Sequence, residues 1–80
     1  MSRDHPGDVN ADRSLLHTLA AHDSNAAVRK LAMLVLKNGS PHRDTIVMLE
    51  GIAGDDEIDR DLRETAKRAA AALTKKGHAR

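Results

Sequence analysis

An all-α fold with four helices is predicted from three features of the chain. Apolar residues recur at helical intervals in four segments, turn residues separate these segments, and no segment alternates apolar and polar residues as a half-buried strand would. Because 80 residues correspond to one domain at most, we expect a single four-helix domain over residues 12–76. A flexible N-terminal arm over residues 1–11 and a basic C-terminal tail over residues 77–80 would flank it.

The first two predicted helices are separated by a short polar turn. The first helix covers residues 12–22, because the arm before it carries a proline, a glycine and almost no apolar residues. The turn Asp23-Ser24-Asn25 contains residue types that favour both turns and N-caps. The second helix covers residues 26–37 and ends at Asn38-Gly39, a strong C-cap signal.

The third and fourth predicted helices follow the same pattern of caps and breaks. Ser40 is the expected N-cap of the third helix, with Pro41 at its first helical position and its end near residue 53. A Gly-Asp-Asp-Glu segment interrupts the helical pattern. The fourth helix covers about residues 59–76 and is expected to end at Gly77.

The second predicted helix is apolar on all sides, so it should be covered on more than one side. We expect Leu31 and Val35 to belong to the core of the domain. The residues predicted for contact with another protein are Met33, Leu34, Leu36 and Met48.

Composition favours association with another copy of the chain. The chain has no aromatic residue, and 13 of its apolar residues are alanine, which leaves 19 larger apolar side chains. Short chains with so little bulk to bury often gain stability by pairing. We therefore expect a homo-oligomer.

An internal repeat relates the two halves of the chain. An aliphatic residue, an arginine and an alanine recur with the same spacing in the second half, and an aspartate lies in each inter-helix turn. Such a repeat predicts two stacked helical hairpins, in a register that pairs Val28 with Leu62. The matching residues are Val28-Arg29 with Ala32, and Leu62-Arg63 with Ala66; the turn aspartates are Asp23 and either Asp55 or Asp56.

Over about residues 15–73 this pattern resembles short HEAT-like repeats, whose motif is an apolar helix, a turn Asp and an aliphatic-Arg-x-x-Ala core. The resemblance implies a short α-solenoid and a scaffold that binds proteins or, less often, nucleic acid; it implies no reaction. The stretch 47–73 is also similar to a family of small, uncharacterised archaeal helical proteins. Physically, the turn residues Asp23 and Asp56 can cap the second helix of each hairpin, and Arg29 and Arg63 can reach turn carboxylates or carbonyls.

No constellation for metal binding or catalysis is evident in the sequence. The five histidines form no pair at zinc-ligand spacing, and there is no cysteine. The acidic segment 55–57 does not have the alternating spacing of a calcium loop. The serines lie at or near helix starts, and the glycines lack phosphate-loop spacing. We therefore expect a protein that is not an enzyme and that binds no cofactor.

The C-terminal end carries the one marked charge asymmetry. Residues 65–80 contain five Lys and Arg residues and no acid, although the whole chain has a net charge of only +1. These cations can stabilise the negative end of the fourth helix, or they can contact phosphates without sequence preference. The possible nucleic-acid contacts are Lys67, Arg68, Lys75 and Lys76.

The sequence thus predicts a non-enzymatic protein-interaction module, an adaptor, regulator or inhibitor, that self-associates. The alternative is a nucleic-acid-associated protein that uses the basic end of the fourth helix. The longest apolar run is six residues, so no membrane span is expected and we expect a cytoplasmic protein.

Overall fold

Four helices form the chain in the computed structural model, which describes residues 6–78 and the side chains of residues 12–78. Helix α1 spans Pro6–His22, α2 Ala26–Lys37, α3 Arg43–Ala53 and α4 Arg60–His78. No strand occurs within residues 6–78. The predicted all-α class is confirmed.

The four helices form two antiparallel pairs, and one pair is stacked on the other. Helix α1 packs on α2, α3 packs on α4, and the two pairs meet mainly through α2 and α4, while α1 touches α3 at fewer points. The Cα atoms span 15 Å in the thinnest direction. That thickness fits two helices, since packed helix axes lie about 8–10 Å apart.

Two helix ends lie outside the predicted limits. Helix α1 begins at Pro6, six residues before the predicted start of the first helix. Proline fits the first turn of a helix because its missing N–H would have no intrahelical partner there. Helix α4 continues through Gly77 to His78. The remainder of the predicted arm and tail, residues 1–5 and 79–80, lies outside the described residues.

The start of α3 also differs from the prediction. Ser40 and Pro41 precede the helix instead of opening it, and His42 occupies the N-cap position with extended backbone (φ −72°, ψ 137°). Pro41 lies beside Gly77 of α4, where an added Cβ would be 3.7 Å from the proline Cβ. The proline therefore belongs to the link that crosses the end of α4, which explains why helix formation begins two residues later.

The core is built from leucine, one methionine and closely packed alanine. Its largest completely buried side chains are Met33, Leu49 and Leu73. Alanine at the contacts lets helices approach closely, which compensates for the missing aromatic rings. The buried apolar residues are Ala20, Ala32, Met33, Leu36, Leu49, Ile52, Leu62, Ala66, Ala69, Ala70 and Leu73.

The predicted orientation of the second helix is wrong. Leu31 is 62% exposed and Val35 46% exposed, whereas Met33 is completely buried and Leu36 lies in the core. Because the segment is apolar all round, two different stripes satisfy helical spacing, and the pattern does not choose between them. The stripe that contains Ala32 and Leu36 is the buried one, on the side of α2 that packs on α1 and α4.

Replacing Met33 by alanine should lower the free energy of unfolding by about 2–5 kcal/mol, because the substitution leaves a cavity in the core. Leu31→Ala, at an exposed position, should cost less than about 1 kcal/mol. Urea denaturation followed by circular dichroism, repeated at several protein concentrations, measures both values. Equal losses in the two variants would contradict the orientation of α2 described above.

Candidate interaction surface

The junction between the turn and the second helix is built alike in both hairpins. The backbone N–H of Arg29 donates to the carbonyl of Asn25, and that of Arg63 donates to the carbonyl of Asp59, both at 3.0 Å. The side chains of Asn25 and Asp59 each accept from the backbone N–H two residues on, at 2.8 and 3.1 Å. Since Asn25 and Asp59 correspond in the register that pairs the two arginines, the repeat read from the sequence is also a repeat of local structure.

The capping residues are not the ones predicted. Asn25 caps α2, and its side chain also accepts from the N–H of Val28 at 3.2 Å, so the prediction that Asp23 caps this helix is wrong. In the second hairpin Asp59 takes the equivalent position, and Asp56 lies further back in a longer turn. The side chain of Asp56 is almost fully exposed, and its carboxylate lies 3.8 Å from the guanidinium of Arg63.

The two repeat arginines join each second helix to the chain before it. The Nε–H of Arg29 donates to the carbonyl of Ala20 in the last turn of α1, at 2.9 Å. The Nε–H of Arg63 donates to the carbonyl of Ile58 in the α3–α4 turn, also at 2.9 Å. Both bonds satisfy carbonyls that lie outside regular helical pairing or at a helix end, where partners are otherwise lacking.

The residues predicted to contact a protein are mostly inside the domain. Met33 and Leu36 are buried in the core, and Met48 is half-buried against it. Leu34 alone among the four is exposed, on the side of α2 next to α4. The predicted contact set is therefore wrong for Met33 and Leu36, because these side chains join α2 to the other helices of the same chain.

Three other large apolar side chains are exposed, and we call the surface that they form the open face. At each of these positions the second hairpin has a buried residue, although the two hairpins are built alike. The open face consists of Leu15, Leu31 and Val35, and the counterparts in the second hairpin are Leu49, Thr65 and Ala69.

The difference in burial follows from the order of the stack. Helix α4 packs on α2, and Thr65 on α4 shares a groove with Lys30 and Leu34 of α2. The side of α2 that holds Leu31 and Val35 corresponds to the side of α4 that packs on α2. Within residues 6–78 no helix packs on that side of α2, so the two side chains stay exposed. The open face is thus the surface on which a preceding hairpin would pack.

The opposite end of the stack carries charge, and we call it the charged end. It is the groove between α3 and α4 that Glu50, Lys67 and Lys75 line. The corresponding surface of the first hairpin, on which the second hairpin packs, contains the half-buried Leu16 and the buried Met33. Their counterparts in the second hairpin are Glu50 and Lys67, both exposed. This end thus carries exposed charges beside Ala53 and Ala70, where the first hairpin has larger apolar side chains.

The basic residues of α4 are divided among different surroundings. Lys67 and Lys75 share the charged end with a glutamate, while Arg68 lies in the α2–α4 groove beside Glu64. The ammonium group of Lys76 donates to the carbonyls of Lys37 and Gly39, at 3.3 and 2.7 Å. A lysine in this place stabilises the end of α2, where the last carbonyls have no helical partner.

A polar contact between two side chains joins α1 to α3. The Nε2 of His17 lies 2.7 Å from the hydroxyl of the buried Thr45, so this histidine joins α1 to α3. Among the side chains of residues 12–78, no three His, Asp or Glu residues come together as a metal site.

None of the four helices within residues 6–78 has the length and hydropathy needed to cross a membrane.

No family model, curated protein or solved structure matches the chain. The repeat within the chain itself consists of the common register of the two halves, the two arginine–carbonyl bonds and the two capping side chains.

Asn25→Ala should lower the free energy of unfolding by about 1 kcal/mol, because two helix N–H groups lose their acceptor. Asp23→Ala, in the same turn, should change it by less than about 0.5 kcal/mol. Urea titration of the two variants checks the assignment, and a larger loss in Asp23→Ala would reverse it.

Lys76→Gln should destabilise the domain by roughly 0.3–1 kcal/mol, since the charge at the end of α2 is removed. Lys75→Gln is the matched control, because it removes the same charge one residue away, in the groove on the other side of α4. Thermal melting of both variants at low salt makes the comparison. Identical melting temperatures would show that the bonds of Lys76 contribute nothing to stability.

Proposed function

We propose that this chain is a non-enzymatic protein-interaction module of the HEAT-like kind, an adaptor, regulator or inhibitor, and that its contact surface is the open face. The observation that carries the proposal is the exposure of Leu15, Leu31 and Val35 at positions that are buried in the other hairpin. Grouped apolar side chains of this size on a small domain mark a surface that another molecule covers.

The energy available at this surface fits a reversible contact. Full burial of a leucine or valine side chain contributes about 1.5–3 kcal/mol. The three side chains of the open face are 46–62% exposed, so covering them adds roughly half of that for each. Association also costs translational and rotational freedom. We therefore expect moderate affinity, in which further residues around the open face also take part.

The shape of the surface favours a helical partner. The contact of α4 on α2 is the example that the chain itself provides, because there the side chains of one helix fill the spaces between those of another. A helix or helical hairpin laid on Leu31 and Val35 would repeat this contact on the opposite side of α2.

The alternative, contact with nucleic acid through the basic end of α4, has less support. Lys76 is bonded to the end of α2 and Arg68 lies beside Glu64, which leaves Lys67 and Lys75 in a groove that also holds Glu50. A phosphate backbone would meet that carboxylate as well as the two lysines. The chain also has no aromatic ring for stacking on bases.

A photo-activated cross-linking amino acid at position 31 tests the proposal in the cells that produce the protein. We expect one discrete protein adduct that resists nuclease treatment. The same amino acid in place of Ala71, an exposed residue at the charged end, is the control and should give no adduct. Adducts from position 71 alone, or adducts that nuclease removes, would contradict the proposal and favour the nucleic-acid alternative.

A further inference from the structure

We propose that the partner at the open face is a second copy of this chain, with the two open faces meeting across a two-fold axis close to Leu31. This inference rests on the proposed function, since it names the molecule that covers the surface described there. It adds that the assembly closes at two chains and that the charged end stays outside.

The charged end disfavours head-to-tail stacking of copies. In such an array, Leu31 and Val35 of one copy would lie on the groove that holds Glu50 and Lys67 of the next. Covering that groove would take the exposed Glu50 and Lys67 out of water, a desolvation cost that contact between two uncharged faces does not carry. An open face that meets its own copy avoids this cost, and pairing with itself ends the assembly at a dimer.

The exposed strip of α2 is suited to pairing with itself because it carries no charge. In a two-fold contact, a residue close to the axis meets its own copy, so any charge there would meet a like charge. The cations that border the strip are paired within their own chain. Lys30 lies in the α2–α4 groove, 3.2 Å from Asp61. Arg13 shares a groove with Val35 and lies 3.5 Å from Asp44. The exposed residues of this strip are Ser24, Ala27, Leu31, Val35 and Asn38.

The size of the open face sets the strength of the dimer. Helix α2 has 12 residues, so it is about 18 Å long, and the α1–α2 pair is about 20 Å wide. A surface of this size buries roughly 400 Å² on each copy, below the ~800 Å² per partner of a stable interface. We therefore expect a weak dimer that exchanges rapidly with the monomer.

Sedimentation equilibrium of the full chain, from about 5 to about 500 μM, tests the dimer. The average mass should rise with concentration from 8.7 kDa and level off at twice that value. Leu31→Glu should weaken association at least about tenfold, by placing like charges at the axis. Val47→Glu is the matched control, because Val47 is 57% exposed on α3, away from the open face, and this variant should dimerise like the parent.

Disulfide cross-linking tests the position of the axis independently. The chain has no cysteine, so Leu31→Cys introduces the only thiol. Under mild oxidation this variant should form a covalent dimer with unchanged helical circular dichroism, and Val47→Cys should form it much more slowly. Equal rates in the two variants, or mass that keeps rising beyond two chains, would overturn the two-fold arrangement.

The results also separate this inference from the proposed function. A chain that stays monomeric up to about 500 μM, yet gives a discrete adduct with another protein from position 31 in cells, overturns the second-copy proposal and supports the interaction module. A dimer that Leu31→Glu leaves unchanged overturns the assignment of the open face to self-association.

Discussion

The position of each helix depends on the contacts of α2, which packs on α1 at one side and on α4 at the other. Met33 lies completely buried in this packing, and Ala32 and Leu36 join it to the core. Both ends of α2 are held by side chains, at the start by Asn25 and at the end by Lys76. Because α2 has apolar residues on every side and only two neighbours, part of its surface stays uncovered, and the open face is the direct result.

Different kinds of polar contact act within and between the hairpins. Within a hairpin, an arginine donates to a backbone carbonyl, and these bonds hold the second helix to the chain before it. Between the hairpins, Lys76 of α4 donates to the carbonyls of Lys37 and Gly39, and side chains of α1 and α2 also meet side chains of α3 and α4. These side-chain contacts are Arg13 with Asp44, His17 with Thr45, and Lys30 with Asp61.

Local signals in the sequence predict most of the secondary structure. The Asn38-Gly39 stop and the break after Ala53 each place a helix end within one residue, because caps and breakers act on the neighbouring backbone alone. The start of α3 is not predicted, since Pro41 is used to cross the end of α4, a contact distant in sequence. The first turns of α1 are missed because they contain few apolar residues.

The candidate surface is harder to predict than the helices. A segment that is apolar on all sides gives no preferred stripe, so the sequence alone does not decide whether Leu31 or Met33 faces the core. The repeat does contain a usable signal. Leu31 corresponds to Thr65 and Met33 to Lys67, and a lysine at the second position shows which side of the terminal hairpin faces water. The burial of each residue in the folded chain is needed to show that these positions form an open face and a charged end.

The division between these contacts makes the strength of the joint between the hairpins depend on ionic strength. Among residues 12–78, four polar links join the hairpins, and two of them are ion pairs with exposed carboxylates, which dissolved salt screens. The arginine–carbonyl bonds within each hairpin are half-buried and have an uncharged acceptor, so salt weakens them less. At high ionic strength the polar links between the hairpins therefore weaken more than those within a hairpin, and the apolar packing of α4 on α2 holds the two hairpins together.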